Sequence, residues 1–325
     1  MVKSAVVVAD IGGTKVMAAV VAEDGTVLGQ ATLPTEAEKG PEVVIGRVIK
    51  GLNLAIKEAG LGVADVVGAG IACAGLVDVE KGIVVTSPNL PGWDRVPLQE
   101  RVEAALGLNT LLANDANAAA LGEHRFGAGQ GSNHLVFITV STGIGGGLVL
   151  GGRLYTGALG TAGEVGHITV EADGPRCTCG QQGCLEALAS GPAMAREARS
   201  RLEVGEAGML LELSGGHLDT VTAELIGKAA GKGDSLALEV VERAATYLGI
   251  GLGSMVNLFN PQVIVVGGGV SRMGEILLAP ARATMLSRAF PSAVQGVRLV
   301  QGSLGEMAGA LGMASYLMEG IHESR

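Results

Sequence analysis

Apolar residues along this chain fall into short unbroken runs that alternate with stretches of helical period. Ala5 to Ala9 is a continuous apolar run, the length of a strand buried on both faces. Val16 to Ala22 is a second run after the Gly12-Gly13 pair, and it reads as an antiparallel return. Asp24-Gly25 is a hairpin signal leading into Val27 to Thr32. From Glu42 to Ala59 the period changes. Val44, Ile45, Val48, Ile49, Leu52 and Ile56 recur at helical spacing, and Gly60 follows as a stop signal. Val66 to Ala72 is again strand-like. Strands alternating with helices predict an α/β fold.

A second series begins at His134. Leu135 to Val140 predicts a strand, Ser141 to Gly147 a glycine turn, and Leu148-Val149-Leu150 a return strand. Strand, glycine turn, strand repeats the N-terminal arrangement, so two related lobes facing each other across a cleft are expected. The division falls into a small lobe, residues 1–125, and a larger lobe, residues 126–325, with the terminal helix packing back on the small lobe. Ser235 to Leu258 predicts a long helix, Val263 to Val266 a buried strand, and Gly302 to Met318 a terminal helix. Residues 204–217 are glycine-rich and read as a surface connection.

Composition narrows the classes. The 325 residues are too many for one small core and suit two lobes. Hydrophobic residues make up 48 % but aromatics only 2 %, so the cores must be built from Ala, Val, Leu and Ile. The 53 glycines show no G-X-Y period, which excludes collagen. A net charge of -9 without a Lys/Arg block argues against nucleic acid and membrane-surface partners. Nucleotide binding stays open, because backbone N–H groups and a metal do most of that work. The apolar run after Met1-Val2-Lys3-Ser4 is too short for a signal peptide, and no segment reaches the roughly 18 apolar residues of a membrane span, so a cytoplasmic protein is expected.

Several motifs then carry candidate chemistry. Asp10-Ile11-Gly12-Gly13-Thr14-Lys15 follows a strand. Its glycines allow a tight turn with N–H groups aimed at phosphate, Thr14 adds a hydroxyl, Lys15 a cation, and Asp10 a carboxylate for a metal-bound water. An ordinary hairpin turn is the bland alternative, and the Walker A spacing is absent. Ser141-Thr142-Gly143-Ile144-Gly145-Gly146-Gly147 offers hydroxyls and glycines after another strand. Gly267-Gly268-Gly269 follows a third, where a nucleoside could lie on bare backbone or a helix could pack closely. Asn114-Asp115-Ala116-Asn117 joins a strand to a helix, a natural active-site position in α/β sheets. Asp115 could cap that helix or act as a general base for an attacking hydroxyl.

The cysteines are the most specific signal. Of four, Cys177, Cys179 and Cys184 lie within eight residues, downstream of Gly163-Glu164-Val165-Gly166-His167. Three thiolates and one imidazole make a closed Cys₃His zinc site of the structural kind. A redox pair is the alternative, although Cys-x-Cys differs from the redox Cys-x-x-Cys spacing. Cys73 reads as an inert core thiol. His124, His134, His217 and His322 show no ligand spacing and read as surface or capping residues.

With Asp10 to Lys15, Asn89-Leu90-Pro91-Gly92-Trp93, Asn114 to Asn117, Ser141 to His167 and Cys177 to Glu186 in view, the chain resembles the ROK family of bacterial sugar kinases and sugar-responsive repressors over nearly its whole length. The resemblance implies the two-lobed actin-like ATPase (ribonuclease H-like) fold. It implies transfer of the ATP γ-phosphoryl, with Mg²⁺, to a hexose hydroxyl, Asp115 being the base. It implies a sugar site of Asn89, Asn114, Asp115, Glu164, His167 and Glu186, with glucose or a related hexose as acceptor. Kinases for N-acetylmannosamine, N-acetylglucosamine or fructose share these motifs. A repressor would carry a DNA-binding domain before the first strand, for which residue 5 leaves no room. Family likeness also suggests a homodimer or homotetramer.

Overall fold

In a computed structural model, which describes residues 5–206 and 208–323, the chain runs through two sheets of the same design. The expectations for Met1 to Ser4 and for the His322 side chain lie outside what is described. The first half comprises β1 (Ala5–Ile11), β2 (Lys15–Ala22), β3 (Val27–Pro34), α1 (Pro41–Glu58) and β4 (Val66–Cys73). There follow a small antiparallel sheet of β5 (Leu76–Asp78), β6 (Ile83–Thr86) and β7 (Asp94–Val96), then α2 (Leu98–Leu106), β8 (Thr110–Asn114) and α3 (Asp115–Phe126). The second half begins with β9 (His134–Val140), β10 (Ile144–Leu150) and β11 (Arg153–Tyr155). After α4 (Leu185–Ala189), α5 (Gly191–Glu203), α6 (Met209–Leu213), α7 (Ala223–Ala230) and α8 (Ser235–Phe259) come β12 (Val263–Gly267), α9 (Glu275–Arg288), β13 (Arg298–Gln301) and α10 (Ala308–Glu323).

The first sheet has the order β3-β2-β1-β4-β8 and the second β11-β10-β9-β12-β13. In each, the leading strand pairs antiparallel with the next strand and parallel with a later one. The echo expected from the sequence is thus a repeated topology.

The unbroken apolar runs follow from sheets covered on both faces. Val7, Ala9 and Ile11 of β1 face Val44, Val48 and Leu52 of α1. Val6 and Val8 face Ala310, Met313 and Ala314 of α10. In the second sheet Val136, Ile138 and Val140 face the α8 side, while Leu135 and Phe137 face Ala120 and Leu121 of α3. So α10 covers the first sheet, α3 covers the second, and the two helices pack on each other. Glycine permits that approach: a Cβ on Gly312 would overlap the Ala118 carbonyl oxygen, and one on Gly122 the Ala308 carbonyl oxygen.

Three expectations are corrected. Ile144 to Gly147 belongs to strand β10, not to a turn. Its glycines answer to packing: a Cβ on Gly147 would stand 2.6 Å from Ala120 Cβ, and one on Gly146 2.5 Å from Val165 Cγ2. The 204–217 connection contains helix α6, whose Leu210 is fully buried. The terminal helix expected over Gly302 to Met318 is α10 at Ala308–Glu323, because residues 302–307 form a bend and one 3-10 turn first; strand β13, four residues that alternate too briefly to register, was not foreseen.

Candidate active site

The C-terminal ends of the parallel strands face the cleft, where α/β sheets bind ligands. A cavity of about 530 Å³ opens there. Gly13, Asn89, Asn114, Asp115, Thr142, Gly143, Glu164, His167 and Glu186 all line it, although they come from separate elements. Ser141 and Thr142 are shared with a second cavity of about 860 Å³, which Gly269 also lines. One cleft therefore holds a polar chamber and a larger chamber joined at a hydroxyl-bearing turn.

Asp115 sits at the floor of the polar chamber as the first residue of α3. It is not the cap. Asn114 is: its Oδ1 accepts from the N–H of Ala116 at 2.9 Å and of Asn117 at 3.1 Å, and its Nδ2 donates to the Gly75 carbonyl at 3.1 Å. Burial pushes the Asp115 carboxyl above its ordinary pKa, partly opposed by its bond from the Ala116 N–H at 2.9 Å, while the Glu164 charge adds to the rise. A carboxyl raised in this way is better suited to accept a proton near neutral pH.

Asp10 lies beside this floor near the end of β1. Burial first, then the Asp115 charge, push its pKa up to about 7 against the opposing pull of Lys15. Gly309 at the start of α10 abuts its carboxylate, where any side chain would collide. Lys15 points elsewhere: its Nζ pairs with Glu306 at 2.5 Å, and Arg272 lies 3.3 Å from the other oxygen of Glu306. Gly12 shapes the turn, its N–H donating to Lys15 O at 2.9 Å and its carbonyl accepting from Thr35 Oγ1 at 2.7 Å; Thr14 O accepts from the Thr35 N–H. Gly267 packs under the Phe137 ring, and Gly268, at φ 84°, turns over Val140. Of the three glycines of that run, Gly269 lines a chamber.

The His167 imidazole stands between two environments. Its Nδ1 is 3.7 Å from Cys177 Sγ, and its Nε2 is 4.0 Å from Glu164 Oε2 in the chamber. The ligand atoms of His167, Cys177, Cys179 and Cys184 lie within 4.8 Å of one another, and Cys179 Sγ is 3.7 Å from Cys184 Sγ. Tetrahedral zinc ligation sets ligand–ligand edges at roughly 3.6–3.8 Å, so the donor set fits the metal in type, and the His167–Cys177 and Cys179–Cys184 pairs fit it in spacing. The loop that carries it closes through Cys177 N–H to Gln181 O at 2.8 Å and Gly183 N–H to Pro175 O at 2.9 Å. Gly183, at φ 69°, passes so close to Glu171 O that a Cβ would overlap it.

Glu186 joins this cluster to the hydroxyl turn. Its Oε2 accepts from the Ile144 N–H at 3.0 Å, and its Oε1 from Thr178 Oγ1 at 3.2 Å. A side chain on Gly143 would stand 2.6 Å from that Oε2. Cys73 is fully buried, as expected. His124 Nε2 lies 2.7 Å from Ser132 O in the loop after α3, and His134 Nδ1 accepts from the Gly151 N–H at 3.2 Å in the turn after β10, so both tie down loops and cap no helix.

Sequence reasoning missed the walls of the larger chamber, among them Arg199 of α5, Thr222 before α7, and Lys228 within α7. They carry no local motif and converge only through the packing of α5 and α7 on α8. It also assigned no role to Asn117, which lines the polar chamber.

Comparisons agree with this architecture. The model of the ROK family matches residues 6–319. A glucokinase of Thermotoga maritima is 41% identical over 315 residues, covering 96% of each chain. A crystal structure of a ROK family glucokinase from Streptomyces griseus with glucose and AMPPNP superposes with TM-score 0.84 at 37% identity, covering 96% of this chain and 99% of that one. A ROK family transcriptional regulator, homologous to the E. coli MLC protein, reaches TM-score 0.87 at 29% identity, with 98% of this chain and 78% of that chain covered.

Proposed function

The chain belongs to the ROK family, and from that premise we propose that it is an ATP-dependent glucokinase with the two-lobed actin-like fold, transferring the ATP γ-phosphoryl to the 6-hydroxyl of glucose. The observation that carries this function is the glucokinase likeness along both full lengths, combined with a carboxylate, Asp115, at the floor of a chamber of matching polarity.

Asp115 would accept the proton of the attacking hydroxyl, a contribution of about 10²–10⁴ in rate. Glu164, His167, Glu186, Asn89 and Asn114 would hold the remaining hydroxyls, and an unmatched hydroxyl would leave these groups unpaired. The phosphates would lie against the Gly12-Gly13 and Ser141-Thr142-Gly143 turns, with the nucleoside in the larger chamber by Gly269. Magnesium bound with ATP would neutralise charge on the transferring phosphoryl group. His167, Cys177, Cys179 and Cys184 would hold zinc, which would order the loop between the sugar-facing carboxylates Glu164 and Glu186. Phosphoryl transfer otherwise rests on positioning and charge neutralisation. No helix among the described residues is long and apolar enough to cross a membrane, which is compatible with the expected cytoplasmic location. The expected homodimer or homotetramer is open to light scattering.

The test is a panel of glucose, mannose, fructose, N-acetylglucosamine and N-acetylmannosamine with MgATP, followed by ADP release. Glucose should give the highest kcat/KM. Turnover of none of them would exclude a kinase. A second role, as a sugar-responsive repressor, is favoured by the likeness to the regulator and would require sequence-specific DNA retention in a gel shift.

A further inference from the structure

Two amides flank Asp115, and the structure gives them different duties. Asn114 caps α3, and both lone pairs of its Oδ1 are taken by the backbone N–H groups of Ala116 and Asn117. Its Nδ2 already donates to Gly75 O. Asn114 can therefore offer a ligand in the chamber one N–H and no acceptor. Asn117, one helical step inward, is 5% exposed, and its Oδ1 is buried without a hydrogen-bond partner in the protein. A buried carbonyl oxygen left unpaired is destabilising, and Asn117 is among the residues that line the polar chamber, so a donor reaching in from that side would satisfy it. Ring hydroxyls of a sugar are such donors.

We propose that Asn117 is a specificity-determining residue, its Oδ1 accepting a hydrogen bond from one ring hydroxyl of the bound sugar. The proposal rests on the hexose kinase function given above. Asn117 faces both the 530 Å³ chamber and a neighbouring pocket of about 340 Å³, so water in that pocket is the rival donor. The two differ in consequence. A sugar donor makes recognition of one hydroxyl depend on Asn117, whereas a water donor does not.

The experiment measures kcat/KM of the full-length enzyme and its Asn117→Ala variant for glucose and for its 1-, 2-, 3- and 4-deoxyfluoro analogues, which cannot donate at the altered position. The wild-type enzyme should discriminate against one analogue at least about 10-fold more strongly than the variant does, because that analogue strands the amide oxygen only when the oxygen is present. The variant should lose about 3- to 10-fold on glucose itself. Parallel penalties across the panel in both proteins would overturn the proposal, as would an unchanged kcat/KM of the variant on glucose. Absence of wild-type glucose turnover would remove the kinase premise and this proposal with it. Should the variant fail to fold, a crystal structure of the wild-type glucose complex decides. A sugar oxygen within about 3.2 Å of Asn117 Oδ1 sustains the assignment, and a water there in its place overturns it.

Discussion

Gly147 is a position where a single methyl group would be felt at the active centre through the helix that carries Asp115. It lies in β10, under the first turns of α3, the helix that begins with Asp115. A Cβ added there would meet Ala120 Cβ at 2.6 Å, Ala116 O at 2.9 Å and Asn117 Cα at 3.2 Å. Carbon atoms prefer separations of about 3.5–4.0 Å, so α3 would have to retreat by roughly 1 Å. It has nowhere to go, because Gly122 and Ala118 on another side already touch α10 through Ala308 and Gly312. Overpacking of this kind costs about 1–3 kcal/mol. A displacement of about 1 Å at a catalytic group can cost on the order of 10²-fold in rate. Gly147→Ala should therefore lower the melting temperature and reduce kcat for glucose by one to two orders of magnitude. Gly46→Ala is the matched control. Gly46 lies within α1 with nothing within 4 Å of its added Cβ, and alanine there should stabilise by about 0.5–1 kcal/mol with kcat unchanged. Differential scanning fluorimetry and an ADP-coupled assay read both quantities. Wild-type kcat in a folded Gly147→Ala protein would refute the claim that α3 is held without slack.

Three further outcomes are expected. Asp115→Asn should lose about 10²–10⁴ in kcat while glucose affinity by calorimetry stays close to wild type, and intact turnover would take Asp115 out of the base role. Cys179→Ser should lower zinc content by elemental analysis and weaken glucose binding at least about 10-fold in the same preparation, whereas normal binding by zinc-depleted protein would make the metal a remote staple. The Asp10 carboxyl, raised from 3.8 to about 7, holds its proton more tightly folded than unfolded, so its contribution to nucleotide-free stability falls as pH rises from about 4 to about 7. Asp10→Asn should flatten that part of the stability–pH curve in urea titrations, and an unaltered slope would show that the carboxyl is not buried charge-averse.

Legibility in the sequence followed how local the cause was. The runs of β1 and the helical period of α1 and α8 are local, and each element lies within two residues of its expected span. The cysteine cluster was legible because its four donor residues fall between residues 167 and 184 and because such donor types have few other uses. Gly145 to Gly147 misled because glycine signals both turns and close approach, and only the presence of α3 across the strand decides between them. Capping of α3 fell to Asn114 instead of Asp115, a one-residue difference that composition cannot resolve but that frees the carboxylate for the cleft. Lys15 was expected at phosphate because it follows two glycines; its partner Glu306 is 291 residues away, beyond any local pattern.

The placement of Glu186 bears on why a metal loop would be built beside a phosphoryl-transfer turn at all. One oxygen of its carboxylate takes the N–H of Ile144, just past the hydroxyl turn, and the other takes the hydroxyl of Thr178, between two proposed zinc ligands. Glu186 stands second in the short helix α4, which begins directly after Cys184. A five-residue helix has little stability of its own. Its position must come from the loop before it and from packing of Leu185 and Ala189 on the α8 core. Zinc at Cys184 would therefore fix the start of α4, α4 would fix Glu186, and Glu186 would fix the backbone of the turn that both chambers share. That chain of contacts would give a zinc ion with every coordination position filled by protein a route to the reaction without ever touching the reacting atoms.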